Sequence, residues 1–194
     1  MEKTDRNLID AYLDGDQSAF AAIVNRYGPA VLGYLIKMCR NQQQAEDFFQ
    51  ETFQRVHRKA HTFRGEMMKP WLFKIATNVA LNGFKKAKRL PVVSLDRPGT
   101  CADGNCSSLE CTDAAAADPA ETAQKTERAQ LVRRAIKDLP SRQRTTLILA
   151  YYDKLSYSQI AEVLGCSLGT VKSQMFRALK TLRRTLPDVV GGLL

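Results

Sequence analysis

The fold is decided by the segment YSQIAEVLGCSLGTVKSQMFRALKTLRR, which covers residues 157–184. It holds two short runs with a helical spacing of apolar residues, separated by a Gly-Cys-Ser break, and the second run ends in basic residues. Ser156 and Gln159 form the capping-box pattern that starts a helix. Leu155 and Ile160 stand on either side of that cap as a hydrophobic staple, so we expect the first helix to begin directly after Ser156.

The break predicts a tight turn between two helices. Gly165 can take the left-handed conformation that ends a helix, and Ser167 is a preferred cap for the next one. That next helix has an apolar stripe of Val171, Met175, Ala178, Leu179 and Leu182. Its opposite face carries Lys172, Ser173, Phe176, Arg177 and Lys180. Together these features predict a helix-turn-helix whose second helix enters the major groove of DNA.

The basic face of this second helix has a simpler interpretation as a solvated surface, and the caps and the turn are what favour DNA binding. Phe176 also has two interpretations. An exposed ring on a basic face suits contact with a thymine methyl group or a sugar, whereas the same ring could pack on the preceding helix.

Two more helices are predicted ahead of this motif. The pattern AQLVRRAIKDLP, residues 129–140, has apolar residues at helical spacing and stops at its proline. SRQRTTLILAYYDKL follows, and we expect its helix to start at Ser141 and to bury Leu147, Ile148 and Tyr151. Residues 127–194 are therefore predicted to form a four-helix domain that contains the helix-turn-helix.

Charge divides the chain of 194 residues into three parts. The whole carries 29 Lys and Arg against 20 Asp and Glu, and its 44% of hydrophobic residues suffices for buried cores. Residues 91–126 are acidic and rich in Pro, Gly, Ser and Ala, which is typical of a linker. We expect an all-α protein of two small helical domains, residues 1–90 and 127–194, joined by this flexible linker. The basic charge of both domains favours a polyanionic partner.

The N-terminal block has the pattern of long amphipathic helices. DQSAFAAIVNRYG and PAVLGYLIKMCR are two such segments, and Gly28-Pro29 predicts the end of one helix and the start of the next. QQQAEDFFQETFQRVHRKA follows, with a predicted buried stripe of Ala45, Phe48, Phe49, Phe53 and Val56. KPWLFKIATNVALNGFKKAKR predicts another helix, with one side formed by Leu72, Ile75, Ala76 and Val79.

AEDFFQETFQRVHR, FRGEMMKPWLFKIATNVALNGFKK and the stretch of residues 139–184 together resemble the extracytoplasmic-function class of bacterial sigma factors. The resemblance covers nearly the whole chain outside the linker. It implies a transcription initiation subunit that binds core RNA polymerase, through the β and β′ subunits, and directs it to promoter DNA. Members of this class are commonly held silent by an anti-sigma factor, so the resemblance implies such a partner here.

The resemblance also implies roles for individual residues. Docking on the coiled coil of the largest polymerase subunit is expected of Asp47, Gln50, Glu51 and Gln54. The minus-ten element is assigned to Phe63, Arg64, Asn78, Lys85, Lys86, Lys88 and Arg89, with the loop of residues 63–68 as a pocket for a flipped base. The minus-thirty-five element is assigned to Arg142, Arg144, Ser167, Thr170, Lys172, Ser173, Phe176, Arg177 and Lys180, the first two as phosphate contacts.

This chain departs from the family pattern at Asn82, where the family often has Asp, and at Lys85 and Lys86, where it often has Arg. The sequence therefore does not predict which minus-ten bases are preferred. Trp71 is expected in the core rather than as a stacking platform for a base.

The cysteines and histidines raise the question of a metal or redox site. Cys101, Cys106 and Cys111 recur every five residues in the linker, and His57 and His61 are four apart on a predicted helix. Zinc-binding cysteines are usually separated by about two to four residues, so we predict no bound metal and no cofactor. The sequence carries no catalytic motif, and the acidic cluster around Asp47 gives only weak support to a metal-dependent nuclease. We therefore expect no enzymatic activity.

The sequence also indicates a compartment. No stretch approaches the roughly 20 apolar residues of a membrane span, and MEKTDRNLIDAYLDGD is too charged for a signal peptide. Five cysteines, an odd number, do not suit a disulfide framework, which fits a reducing environment. We expect a cytoplasmic protein without membrane insertion that is monomeric when free. The alternative function is a stand-alone helix-turn-helix regulator that binds operator DNA without polymerase.

Overall fold

The computed structural model describes residues 4–39, 41–65, 67–89 and 119–186, and the side chains of residues 88–89 and 119–127 lie outside the description. The described residues form eight α-helices and one short 3-10 helix, Ala60–Thr62, with no strand among them. This confirms the predicted all-α fold class. The helices are α1 (Asp5–Leu13), α2 (Gln17–Met38), α3 (Gln42–Lys59), α4 (Met68–Arg89), α5 (Pro119–Asp138), α6 (Ser141–Tyr151), α7 (Tyr157–Leu164) and α8 (Leu168–Thr185).

Helix α1 is a feature that the sequence analysis missed. Thr4 caps it by accepting a hydrogen bond from the backbone N–H of Asn7. Leu8 and Ile9 are buried against the rest of the N-terminal domain, so α1 packs on α2 as part of the core. The pattern that would have predicted it is the Thr cap followed by this apolar pair.

Helix α2 runs without a break through Gly28-Pro29, so the prediction of two helices at this point was wrong. Gly28 is buried, and a Cβ atom at its position would lie 3.6 Å from Cζ of Phe49 in α3. Gly28 therefore lies inside a continuous helix and not in a turn, and a Cβ atom there would make an ordinary van der Waals contact with Phe49. Pro29 gives up one backbone hydrogen bond within α2, which the packing of both helix halves offsets.

By length and composition alone, α2 is apolar enough to cross a membrane, contrary to the expectation that no stretch comes close. It packs on α1, α3, α4 and α6, and its buried residues include Ile23, Val31 and Leu35. A central helix in the core of a water-soluble protein passes the same test.

Helices α3 and α4 complete the N-terminal core. Of the predicted stripe on α3, Ala45, Phe53 and Val56 are buried while Phe48 and Phe49 are half-buried. The predicted side of α4 is buried throughout. A buried hydrogen bond of 2.7 Å joins the Tyr34 hydroxyl of α2 to the Thr77 hydroxyl of α4. This core fixes the directions in which the polar faces of α3 and α4 point.

The first helix of the C-terminal half begins within the segment that was predicted as linker. Helix α5 starts at Pro119, so residues 119–126, which were assigned to the linker, are helical. A proline suits the first position of a helix, and the Ala and Glu residues that follow it are good helix formers. The rest of the predicted linker, with Cys101, Cys106 and Cys111, lies outside the described residues.

The helix-turn-helix has the predicted local structure. Ser156 and Gln159 form a complete capping box, and α7 ends at Gly165, which has the left-handed φ of 61°. Ser167 caps α8 by accepting from the backbone N–H of Thr170. Helix α6 starts at Ser141 as predicted, but Tyr151 is 46% exposed rather than buried.

The two domains pack directly on each other, with α7 against α4 and with α5 and α6 against α2. Lys69 Nζ donates to the backbone oxygen of Asp153 at 2.5 Å, and Lys37 Nζ lies 4.8 Å from the ring centre of Tyr152. The two domains form one compact body in this structure, because polar and apolar side chains of both meet between α2, α4 and α6.

Asp153 makes this junction sensitive to pH. It is 8% exposed, and burial raises the pKa of its carboxyl to about 6, against the opposing effect of Lys69 and Lys37. The folded protein therefore takes up this proton before the unfolded chain does. The free energy of unfolding therefore increases as pH falls from about 6 towards 3.8, and this increase is lost as pH rises again.

We expect Asp153→Asn to remove this dependence. Between pH 8 and pH 4.5 the wild type should gain about 2 kcal/mol of unfolding free energy relative to the variant. Urea unfolding of both proteins at the two pH values measures the difference. If the free energies of unfolding of the wild type and of Asp153→Asn change equally between the two pH values, the pKa of the Asp153 carboxyl is not raised by folding.

Candidate nucleic-acid and protein-binding surfaces

A polar face on α3 points away from the core. Asp47, Gln50 and Gln54 are exposed and Glu51 is partly exposed, since positions three, four and seven apart share one side of a helix. Arg55 Nη2 donates to Glu51 Oε1 at 2.5 Å, and Gln43 Nε2 donates to Asp47 Oδ1 at 3.3 Å. These contacts leave carboxylate and amide groups open to solvent. The face is suited to a protein partner with complementary basic groups.

The loop before α4 does not have the predicted form. Phe63 is 4% exposed and packs edge to face on Trp71, with ring centres 5.4 Å apart. Its ring therefore supports the loop from inside and is not open to a base in this structure. Arg64 and Met67 are exposed and remain available. Trp71 is half-buried, in line with the expected core position.

The outer side of α4 presents Asn78, Asn82, Lys85 and Lys86 to solvent. The spacing from Asn78 to Asn82 and then to Lys85 and Lys86 keeps them on one side of the helix. Lys88 and Arg89 belong to the last turn of α4, and their side chains lie outside the described part. This side combines an amide that can read a base with cations that can hold phosphates.

Helix α8 exposes the predicted basic face in full. Lys172, Ser173, Arg177 and Lys180 are exposed, and Phe176 is 68% exposed. The ring of Phe176 therefore does not pack on α7, which decides between its two interpretations in favour of an open contact surface. Ser167 and Thr170 lie at the start of the helix, where their hydroxyls are 2.9 Å apart. Both hydroxyls thus already take part in the helix cap.

The two arginines assigned to phosphate contacts differ in their positions. Arg142 is exposed, as a phosphate contact requires. Arg144 is buried, and its guanidinium donates to the backbone oxygens of Met38, Lys137 and Leu139. In this structure Arg144 is therefore not open to DNA, because its guanidinium holds the C-terminal ends of α2 and α5.

Comparison with known proteins gives the same order of domains. The family model of Sigma-70 region 2 matches residues 23–90, and that of Sigma-70, region 4 matches residues 129–182. The chain is 31% identical to the RNA polymerase sigma-H factor of Pseudomonas aeruginosa over 97% of both chains. It is 32% identical to the ECF RNA polymerase sigma factor SigW of Bacillus subtilis, over 97% of this chain and 100% of that one. The chain belongs to the ECF sigma factors.

Two solved structures share the fold of this sigma factor. RpoE from Bartonella quintana, in complex with the anti-sigma factor NepR, has a TM-score of 0.64 at 24% identity and covers 87% of this chain and 97% of that one. CnrH, in complex with the cytosolic domain of CnrY, has a TM-score of 0.66 at 22% identity, with coverages of 95% and 98%. Their likeness supports the two-domain helical architecture.

The domain contact brings two candidate DNA surfaces of the sigma factor together. Lys74 of α4 lines an open cleft with Glu162, Gly165 and Ser167 of the helix-turn-helix. The beginning of α8 thus lies beside the helix assigned to the minus-ten element. No local sequence pattern predicts this neighbourhood, because it arises from contacts between residues far apart in the chain.

His57 of the sigma factor lies beside aromatic side chains. His57 forms a short hydrogen bond with the Tyr12 hydroxyl and packs near Phe20. Within residues 4–89 and 119–186, as far as they are described, no three His, Cys, Asp or Glu side chains gather where they could hold a metal ion. The linker cysteines lie outside that part, so the prediction about them remains untested.

Proposed function

We propose that this sigma factor binds core RNA polymerase through the polar face of α3 and directs it to promoters selected by α4 and α8. The observation that carries the proposal is the exposed basic face of α8, with Phe176 at its centre, on the same chain as the polar face of α3. The polymerase supplies the chemistry of RNA synthesis. The protein then acts in the cytoplasm as a monomer that joins the enzyme.

Promoter recognition divides between the two domains in this proposal. Lys172, Ser173 and Arg177 of α8 face bases or phosphates of the minus-thirty-five element in the major groove. Asn78 and the basic end of α4 hold the minus-ten element, where cations stabilise the strand separated from its partner. The β and β′ subunits are the proposed polymerase contacts.

The packed domains have to separate for this function. The two promoter elements are centred about 25 base pairs apart, which corresponds to about 85 Å of DNA at 3.4 Å per step. Helix α4 and the helix-turn-helix are in direct contact here and so cannot span that distance. We therefore propose that polymerase binding is accompanied by loss of contacts such as Lys69 to Asp153.

An anti-sigma partner is part of the proposal. The fold relative RpoE from Bartonella quintana was solved with such a protein, NepR. A partner that covers the α3 face or keeps α4 against α7 would hold this sigma factor silent.

Gel filtration and transcription test the proposed function together. The chain is mixed with sigma-free core polymerase, and the complex is then used to transcribe a library of random DNA fragments. Co-elution and transcription from a distinct subset of fragments are expected. A chain that stays apart from polymerase yet binds duplex DNA alone would instead be a stand-alone regulator.

Arg177 and Lys180 provide a matched pair of variants on α8. We expect Arg177→Ala to reduce discrimination between a selected minus-thirty-five sequence and a scrambled one by about 5-fold to 150-fold, or 1 to 3 kcal/mol, because a base contact is lost. Lys180→Ala should weaken binding to both sequences alike and lower the salt dependence by about one charge. Holoenzyme binding to both DNAs across a salt series measures these effects.

The two variants remove one cation each, so they control for net charge. Equal losses on the selected and scrambled sequences for Arg177→Ala would contradict the assignment of Arg177 to a base. A change of sequence preference in Lys180→Ala would exchange the two roles.

A further inference from the structure

A single carboxylate near the N-terminus joins three elements of the fold. Asp5 Oδ1 accepts from Arg26 Nη1 at 2.9 Å, while Asp5 Oδ2 accepts from the Tyr27 hydroxyl at 2.5 Å and from the backbone N–H of Met68 at 2.9 Å. The side chain of Asp5 is 14% exposed. It thereby connects the first residue of α1, the middle of α2 and the first residue of α4.

The loop that leads into α4 is held at both ends. At one end, Phe63 is buried against Trp71. At the other end, Met68 has a fully buried side chain and gives its N–H to Asp5. Between these ends, Arg64 and Met67 are exposed. The loop is therefore anchored at Phe63 and Met68, while Arg64 and Met67 between these anchors are open to solvent.

The contact between Asp5 and Met68 controls where the loop meets the helix. The first N–H groups of a helix have no partner within that helix, and a negative charge at this end is favourable. Arg26 and Tyr27 restrain the carboxylate in turn. Burial, aided by the hydrogen bond and charge of Asp5, raises the pKa of the Tyr27 hydroxyl, so the hydroxyl keeps its proton and remains a donor.

We infer that Asp5 is a positioning residue for minus-ten recognition, which holds the start of α4 and the exposed Arg64 and Met67 before it in the orientation that meets promoter DNA. The inference rests on the proposed function, in which α4, the helix that these residues lead into, holds the minus-ten element. Asp5 lies outside residues 23–90, the part matched by the region 2 family model. It acts through the backbone of Met68 and does not itself touch DNA.

The test uses holoenzyme made from full-length variants and core polymerase. A promoter selected by the wild type is changed one base at a time in the minus-ten and minus-thirty-five elements, and transcription is measured from each template. At the most selective minus-ten position, Asp5→Ala is expected to lower the ratio of transcription from the preferred base to transcription from the other bases at least about fivefold, since the loop loses one fixed end. The minus-thirty-five profile and the affinity for core polymerase should stay unchanged.

Three further variants sharpen the test. Asp10→Ala removes an exposed acid from the same helix, whose carboxylate accepts from Arg6 Nε at 3.0 Å, and should leave both profiles intact. Asp5→Asn keeps an acceptor for Met68 N–H and should retain most of the minus-ten preference. Tyr27→Phe removes one restraint on Asp5 and should flatten the same profile less, and it carries the test if Asp5→Ala fails to fold.

The outcomes separate the inference from the function on which it rests. Wild-type minus-ten profiles in folded Asp5→Ala, or in Tyr27→Phe where the first does not fold, overturn the inference and leave the proposed function standing. Flattening of both promoter profiles together shows a merely structural role for Asp5 and also overturns it. A wild type that selects no promoter with core polymerase removes the proposed function and the inference with it.

Discussion

Changing Asp47, Gln50 and Glu51 together to Ala should weaken binding to core RNA polymerase at least about 100-fold, which is about 3 kcal/mol. These side chains project from one side of α3 into solvent, and no other described part of the protein buries them. Their replacement therefore removes acceptors and two negative charges from the proposed interface while sparing the core. Competition for core polymerase against a labelled wild-type chain measures the loss.

A matched control tests whether the loss of polymerase binding comes from the change in net charge alone. Asp14, Gln17 and Glu162 are also exposed, and their change to Ala removes the same two acids and one amide from other faces. The control should bind polymerase like the wild type. Because all six residues lie at the surface, each protein should unfold within about 1 kcal/mol of the wild type in urea. Equal loss in both triple variants, or retained binding in the α3 variant, would contradict the proposed docking face.

The local parts of the fold could be predicted because their signals are short. The start of α7 depends on Ser156 and Gln159, and its end depends on Gly165, all within a few residues of the helix. The exposed basic face of α8 follows from helical spacing in the same way. Residues that act on their own neighbourhood along the chain thus gave the helix-turn-helix and its candidate DNA surface.

Gly28-Pro29 shows where this kind of argument fails. A glycine and a proline side by side favour a helix boundary when only the local chain is considered. In the structure Gly28 lies inside α2 and packs against Phe49 of α3. A Gly-Pro pair inside a packed helix and a Gly-Pro pair at a helix boundary have the same sequence signal. Only the packing partner distinguishes them.

The contact between the domains could not be predicted for a similar reason. Lys69 and Asp153 are 84 positions apart, and neither belongs to a pattern that would call for a partner. The sequence did predict two domains with DNA-binding surfaces. It contained no local signal for a packed arrangement in which α4 meets α7.

The burial of Arg144 is another feature that no local sequence pattern predicts. Its replacement should have the largest effect on the free energy of unfolding among the variants proposed. We expect Arg144→Ala to lower the free energy of unfolding by about 2 to 4 kcal/mol, because three backbone oxygens lose a charged donor. The bond to Met38 O, 2.6 Å long, also joins the two domains. Urea unfolding of the full chain measures the change.

Arg142→Ala is the matched control, since it removes the same side chain from an exposed position of the same helix. It should unfold within about 0.5 kcal/mol of the wild type and yet weaken holoenzyme binding to DNA at low salt. Arg144→Lys should not restore the stability lost in Arg144→Ala. A lysine ammonium is a compact charge, whereas the planar guanidinium reaches oxygens on both sides at once.

Unchanged stability together with weaker DNA binding would instead support a direct contact between Arg144 and DNA. If Arg144→Ala unfolds like the wild type and loses DNA affinity with a reduced salt dependence, its guanidinium must reach phosphates in the polymerase complex. The expected result places it among the backbone oxygens at the ends of α2 and α5, as in this structure. Two arginines only two positions apart on α6 then have separate functions, because one side of that helix faces solvent and the other faces the junction of the domains.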